Sequence, residues 1–254
     1  MTDKAPKDRR ETDFGFESVP WHEKKARVRE VFDSVADRYD LMNDLMSLGL
    51  HRLWKRFALL QTGLRPGRRA LDLAAGSGDL SVGLARQVGP EGLVVVSDIN
   101  ARMLARGRDR LLDAGQVGNV RYVVADAERL PFPSRLFDCV TIGFGLRNVT
   151  DKAAALGQMH RVLRPGGRAL VLEFSKLTVE ALAPLYDFYS LRVLPRLGKL
   201  VVDDEASYRY LAESIRRHPD QAELETLMQA RGFERCRYHN LAGGIVALHV
   251  GYRL

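Results

Sequence analysis

Two aspartates and a glycine turn carry the first chemistry in this chain. Leu71-Asp72-Leu73-Ala74-Ala75-Gly76-Ser77-Gly78-Asp79 sets a carboxylate inside a short apolar run, with two glycines close behind it. Gly76 and Gly78 let the backbone turn tightly and leave no Cβ between its N–H groups and a ligand. The third glycine of G-x-G-x-x-G is missing, because Ser81 stands there. Asp98 ends a second apolar run, twenty residues after Gly78, where a carboxylate can accept both hydroxyls of a ribose. Asp72, just before the turn, faces an approaching cation. An adenosine with a cationic end and no pyrophosphate describes S-adenosylmethionine better than NAD. Alone, the turn fits a structural glycine turn with a capping aspartate equally well.

The surrounding elements are those such a site needs. Strand, glycine turn and helix is how α/β proteins bring backbone N–H groups and a helix N-terminus to a nucleotide-like ligand. Residues 70–73 read as a buried strand, and Leu80, Leu84, Ala85 and Val88 follow at helical spacing. Further strands are expected over 93–97, 120–125, 137–142 and 168–174, with a helix over 103–112. Another helix from about Asp151 buries Leu156, Met159 and Leu163 and stops at Pro165-Gly166-Gly167. The alternation implies a doubly wound, mainly parallel sheet with ligands at the carboxyl ends of its strands. Asp72, Asp98, Asp126 and Gly143 fall at or just past such ends. Ser207 onward starts a helix, Pro219 opens one that ends before Gly232, and 233–238 with 245–252 read as a terminal hairpin.

Residues 1–20 are expected to be a flexible tail and 21–254 a single domain. Val28, Val31, Phe32, Val35 and Tyr39 make one helical stripe, and Leu50, Leu53, Trp54, Phe57 and Leu60 another. Residues 21–62 therefore put helices ahead of the first strand, as a lid over the site. Residues 180–202 form an apolar insertion broken by Pro184, Pro195 and Gly198. It reads as core or a partner-facing helix, or as a lipophilic substrate wall or membrane-surface contact.

With 254 residues, 46% of them hydrophobic and 28% charged, the chain can bury a sizeable core. A net charge of +7 suits nucleic acid, anionic lipid or an anionic ligand and selects none of them. Cys139 and Cys236 lie far apart with no C-x-x-C, which reads as inert thiols in a reducing compartment without a zinc site. The start of the chain is polar and no apolar stretch reaches about eighteen residues, so no signal segment or membrane span is read and the cytoplasm is expected.

Several stretches together resemble the ubiquinone/menaquinone biosynthesis C-methyltransferases. They are Val31-Phe32-Asp33-Ser34-Val35-Ala36-Asp37-Arg38-Tyr39-Asp40 with Met42-Asn43-Asp44, and Gly143-Phe144-Gly145-Leu146-Arg147-Asn148-Val149-Thr150-Asp151. Tyr208-Arg209-Tyr210-Leu211-Ala212-Glu213-Ser214-Ile215, His218-Pro219 and Tyr238-His239-Asn240-Leu241 extend the likeness from about Phe14 to Leu254. The resemblance implies a Rossmann-like class I methyltransferase fold: a seven-stranded, mostly parallel sheet with a C-terminal β-hairpin. It implies S-adenosyl-L-methionine as cofactor and methyl transfer to a ring carbon of a polyprenylated quinol, either 2-polyprenyl-6-methoxy-1,4-benzoquinol or demethylmenaquinol or both. Cofactor contacts then fall at Ser77, Asp98, Asp126 and Ala127, with the turn glycines Gly76 and Gly78 around them, beside the Asp72 read from the turn itself. Gly143 stands where many relatives carry a small hydroxyl residue, so a side-chain bond is absent there and the cofactor contact expected at Gly143 is one of the backbone. Ala74 replaces a glycine that many methyltransferases have.

A quinol ring carbon becomes a good nucleophile once a hydroxyl loses its proton, and phenols have a pKa of about 10. A cation beside the oxygen stabilises the phenolate. Arg147 is the expected cation, Asn148 orients the ring oxygen or a water, and Tyr39 closes the pocket from the lid. His51, His160, His218 and His249 fit packing or surface roles, and His239 is a weak candidate for a base. The basic charge and the 180–202 stretch share an explanation in peripheral docking at the inner membrane surface. Association with other quinone-biosynthesis enzymes is expected, and a homodimer is left open. No nucleic-acid partner is expected, since no basic stripe interleaved with aromatics is evident. The alternatives are a methyltransferase for another small molecule or RNA, and a non-catalytic scaffold of a quinone-synthesis complex.

Overall fold

The structure is a computed structural model describing residues 10–35, 41, 43–44, 47–179 and 205–254. In chain order the elements that position the site are β1 (Glu11–Phe14), β2 (Glu17–Pro20), α1 (Lys24–Val35), α2 (His51–Gln61), β3 (Arg69–Leu73), α3 (Asp79–Val88), β4 (Leu93–Asp98) and α4 (Ala101–Asp113). There follow β5 (Val120–Val124), β6 (Phe137–Gly143), a 3-10 turn (Leu146–Asn148), α5 (Lys152–Val162), β7 (Leu163–Phe174), α6 (Glu205–Arg217), α7 (Gln221–Ala230), β8 (Glu234–Leu241) and β9 (Val246–Tyr252).

Apolar runs without alternation suit strands covered on both faces, and β3 to β7 form such a parallel core. The seven strands are ordered β5-β4-β3-β6-β7-β9-β8, with β9 antiparallel to both its neighbours. One face of the sheet packs Val28, Trp54, Leu172, Tyr208 and Leu248, and the other Leu71, Val140, Leu156, Met228 and Phe233. Strand order reverses between β3 and β6, which run parallel, so the carboxyl ends of β3, β4 and β6 open one crevice beneath α1.

Two boundaries differ from those read in the sequence. Residues 11–20 are a hairpin rather than a flexible tail, with Glu11 opposite Pro20 and Phe14 opposite Glu17. The contacts that hold it are remote. Phe14 stacks on Tyr210 at 4.2 Å, Val19 is buried, Asp13 pairs with Lys24, and the Phe16 N–H donates to Glu213. Four-residue strands carry too little alternation to be read locally. α5 ends at Val162, and Pro165-Gly166-Gly167 lie inside β7, where the register with β6 shifts at a bulge. The 180–202 insertion and Tyr39 lie outside the described residues, as do residues 1–9.

The helical lid is held at both ends of α1. Lys25 Nζ lies 2.6 Å from Asp126 and 2.8 Å from Glu128. Asn100 donates to Asp33 Oδ1 at 2.8 Å, and Arg102 to the Asp33 carbonyl at 3.2 Å.

Candidate active site

After β3 the chain turns on Ala74, whose φ of +48° lies in the left-handed region. A residue with a Cβ is strained there by roughly 1–2 kcal/mol. Gly145 faces it so closely that a Cβ at 145 would meet the Ala74 methyl at 2.5 Å. Gly78 (φ +80°) caps α3, and a Cβ there would meet the Gly107 backbone at 3.1 Å. Here α3 and α4 approach backbone to backbone, which fixes the turn between them.

Asp98 is buried at the end of β4. Its carboxylate accepts the Gly76 N–H at 2.9 Å and the Asn100 N–H at 2.8 Å. Burial raises its pKa above the usual carboxylate value, and those backbone donors work against the rise. Asn100 also caps α4 through the N–H groups of Arg102 and Met103, so one short loop orients both the carboxylate and the helix behind it.

Two cavities meet at Ala74. The larger, about 810 Å³ with its open mouth, is lined by Gly76, Asp98, Asp126, Ala127, Phe144 and Asn148 among others, and roofed by Val28 and Phe32 of α1. The smaller, about 280 Å³, is lined by Lys55, Asp72, Ser77, Asp79, Leu80 and Gly143. Asp72 is fully enclosed. Ser81 Oγ donates to it at 2.5 Å and Thr141 Oγ1 at 2.7 Å, yet burial pushes its carboxyl up to about 6. Lys55 pairs with Asp79 at 2.6 Å at the rim of the same cavity. A Cβ at Gly143 would sit 2.7 Å from Leu80 Cδ1, so a larger residue there would make that leucine turn aside.

The cofactor residues read from the sequence therefore divide. Gly76, Asp98, Asp126 and Ala127 line the larger cavity, and Asp72, Ser77 and Gly143 the smaller. Gly78 lines neither and serves the helix start. Asp126 spends part of its carboxylate on the Glu128 N–H and on Lys25.

Arg147 does not face the crevice. Only 4% exposed, it meets Glu173 at 3.0 Å and the Phe144 carbonyl at 2.6 Å, while its backbone N–H also donates to Glu173. The expected cation beside the substrate oxygen is instead one half of a buried ion pair at the end of β7. That pair holds the turn which presents Asn148, and Asn148 does line the larger cavity. Tyr210 Oη donates to Asn148 Oδ1 at 3.0 Å. Burial holds the Tyr210 phenol well above its ordinary pKa, so it remains a donor. The Asn148 amide nitrogen is thereby left for a ligand.

No histidine lines either cavity among the described residues. His51 bonds Asp44, His249 bonds the Gln221 carbonyl, and His160 and His239 stack edge-on against Phe233 and Phe57. His218 is buried, and its pKa is pushed far down by burial and then by Lys152 and Arg147. Among the described residues no cluster of His, Cys, Asp or Glu could hold a metal. Sequence reasoning missed Lys25, Lys55, Asn100 and Tyr210. Asn100 had a visible signal, a capping residue two positions after the acidic strand end. Lys25, Lys55 and Tyr210 are paired only through the fold.

A parallel sheet closed by a reversed terminal hairpin, with a glycine turn and a strand-end aspartate at the switch point, defines a class I S-adenosylmethionine-dependent methyltransferase. Solved structures share the fold. An S-adenosylmethionine-dependent methyltransferase from Aquifex aeolicus matches with a TM-score of 0.61 over 85% of this chain and 98% of that one, at 15% identity. A chain from the complex of the Haloferax volcanii Trm112 methyltransferase activator with a putative methyltransferase gives a TM-score of 0.64, over 89% of this chain and 97% of that one, at 18% identity. The ubiE/COQ5 methyltransferase family matches residues 21–253, and the chain belongs to that family. A relative from Francisella philomiragia is 57% identical over 247 residues, covering 97% of this chain and 99% of its own. One from Marinomonas is 60% identical over 242 residues, covering 95% and 96%. Both are named ubiquinone/menaquinone biosynthesis C-methyltransferase UbiE. The chain is thus a methyltransferase that uses S-adenosylmethionine.

Proposed function

We propose that this enzyme methylates a ring carbon of a polyprenylated quinol in ubiquinone or menaquinone biosynthesis. The observation that carries the reading is identity of 57% and 60% to relatives of that name over nearly the whole length of both chains, lid and terminal hairpin included. The chemistry of the crevice supports it.

The residues present fit S-adenosylmethionine. A buried strand-end carboxylate, Asp98, suits ribose hydroxyls. Asp126 and Ala127, which line the same larger cavity, would hold the adenine. A second buried carboxylate, Asp72, with Ser77 and the strand end at Gly143, suits the cationic amino-acid end at the smaller cavity. When bound, the cofactor supplies a methyl on a positively charged sulfur. Most of what the protein must add is alignment, worth on the order of 7–11 kcal/mol. Asn148 holds the ring oxygen through its amide N–H groups and stabilises the negative charge left there when a water takes the hydroxyl proton and the ring carbon becomes nucleophilic. Tyr210 fixes the amide's orientation, and the Arg147–Glu173 pair fixes the turn. Phe144, backed by Trp54 and Phe174 with centroids 4.9–6.3 Å apart, gives the larger cavity one apolar side. Tyr39 is assigned to closing the lid.

The protein is further proposed to act in the cytoplasm, peripheral to the inner membrane where such a substrate resides, beside other enzymes of the same synthesis. No helix among the described residues is long and apolar enough to cross a membrane.

Mass spectrometry of quinones in cells lacking the gene tests the reaction. Loss of ubiquinone or menaquinone, with build-up of the species one methyl lighter, is expected. The intact gene should restore the profile and Asp98→Ala should not. An unchanged profile, with no second gene covering the step, overturns the reading.

A further inference from the structure

The outer row of α2 has the wrong chemistry for a helix face turned to water. Leu53 and Leu60, 62% and 72% exposed, stand two turns apart on one line. Leu48, 73% exposed, and Leu50 are uncovered in the turn that leads into the helix. Arg52 and Arg56 are exposed on the adjoining row, Arg52 holding Asp44 at 2.8 Å and Arg56 reaching outward. The opposite side of α2 reaches the active site. Trp54 packs on Phe144 and Phe174 at 6.2 and 6.3 Å, and Lys55 lines the smaller cavity. About 10 Å, one helix diameter, separates the leucine row from the wall of the crevice.

We propose that this face of α2 docks the enzyme on an anionic lipid surface. Leu53 and Leu60 enter the boundary between headgroups and acyl chains, and Arg56 lies against lipid phosphates. Charge selects this occupant. An apolar row flanked by arginines complements a surface with an anionic rim and an apolar interior, and the net charge of +7 acts in the same sense. Two copies pairing through this face about a two-fold axis would instead bring the arginine rows toward each other. The inference deepens the quinol reading, on which it rests for its purpose: a docked α2 sets the mouth of the crevice where a prenyl tail is already dissolved.

The test is flotation of the whole chain with vesicles of phosphatidylglycerol and phosphatidylcholine. Methylation of a quinol carrying one prenyl unit, in the absence of vesicles, is measured in parallel. The unaltered protein should float at low salt and be released as salt is raised. Leu53→Ser/Leu60→Ser keeps the net charge and should lower vesicle binding at least tenfold, by analogy with lost apolar burial. Arg56→Gln should lower it about fivefold. Both variants should keep their activity on the short-tailed quinol. Docking is overturned if the unaltered protein does not float, or if the leucine variant floats equally well. It is also overturned if sedimentation finds a dimer that the leucine variant splits, which would assign the face to a second copy. Failure of the unaltered protein to methylate the short-tailed quinol counts against the quinol reading and leaves flotation to decide docking.

Discussion

Asn148 is the polar group of the crevice proposed to hold a ring oxygen, and that role depends on which way its amide points. The Tyr210 hydroxyl, 3.0 Å from Oδ1, decides that. Tyr210→Phe keeps the ring that stacks on Phe14 and removes only the hydroxyl. It should lower kcat about tenfold, the scale of one hydrogen bond, and leave cofactor affinity unchanged. In an Asn148→Ala background the same change should cost almost nothing further. A purely structural tyrosine would give additive losses in this double-mutant cycle. Asp72 makes a prediction of opposite sign for stability. Its carboxyl is raised from 3.8 to about 6 in the folded chain. Between those values the folded state holds a proton that the unfolded state has lost. Stability therefore falls as pH rises through that window, by on the order of 3 kcal/mol. Asp72→Asn should flatten this dependence and raise the urea midpoint at pH 7, while weakening binding of the cationic cofactor.

At the scale of elements, the lid is fastened by a few polar contacts in addition to the core residues Val28, Val35, Trp54 and Ala58. Lys25 is partly exposed, so its bonds to Asp126 and Glu128 contribute no more than about 1 kcal/mol. Lys25→Ala should leave the melting temperature almost unchanged and speed amide exchange across residues 24–35 several-fold, as measured by mass spectrometry. Which elements were legible in the sequence follows from where their partners lie. Buried parallel strands announce themselves as short apolar runs, and Leu93–Asp98 was found almost to the residue. Asp98 and the glycine turn were legible for the same reason, since their roles are local. The 11–20 hairpin was not, because Phe14 is held by Tyr210, nearly two hundred positions away. Arg147 was placed at the correct turn with the wrong partner. Nothing local in Gly145-Leu146-Arg147-Asn148 indicates that Glu173, at the end of the next strand, takes up the charge. A buried ion pair is one of the features that spacing alone cannot distinguish from a free catalytic cation.

For the whole molecule, the crevice joins the lid to β3, β4 and β6, so a ligand there braces several elements at once. Cofactor at a hundred times its Kd should stabilise the fold by about 2.7 kcal/mol. For a chain of this size that corresponds to roughly 5–10 °C in melting temperature, measurable by scanning calorimetry. Asp98→Ala should abolish the shift while leaving the unliganded protein folded. The placement of β9 has a further consequence, for the order of assembly. It lies between β7 and β8, and all seven of its residues pair with β7, from Phe174 opposite Val246 to Arg168 opposite Tyr252. Arg253 then ties the helix–strand junction together through the carbonyls of His160, Arg161 and Leu163. During synthesis, every residue of the crevice described here has left the ribosome before this strand exists. A nascent chain stopped short of Val246 presents the bare edge of β7 and an open apolar face to its surroundings. Sheet closure is therefore a late, largely all-or-none event, timed by translation of the final strand rather than by formation of the site.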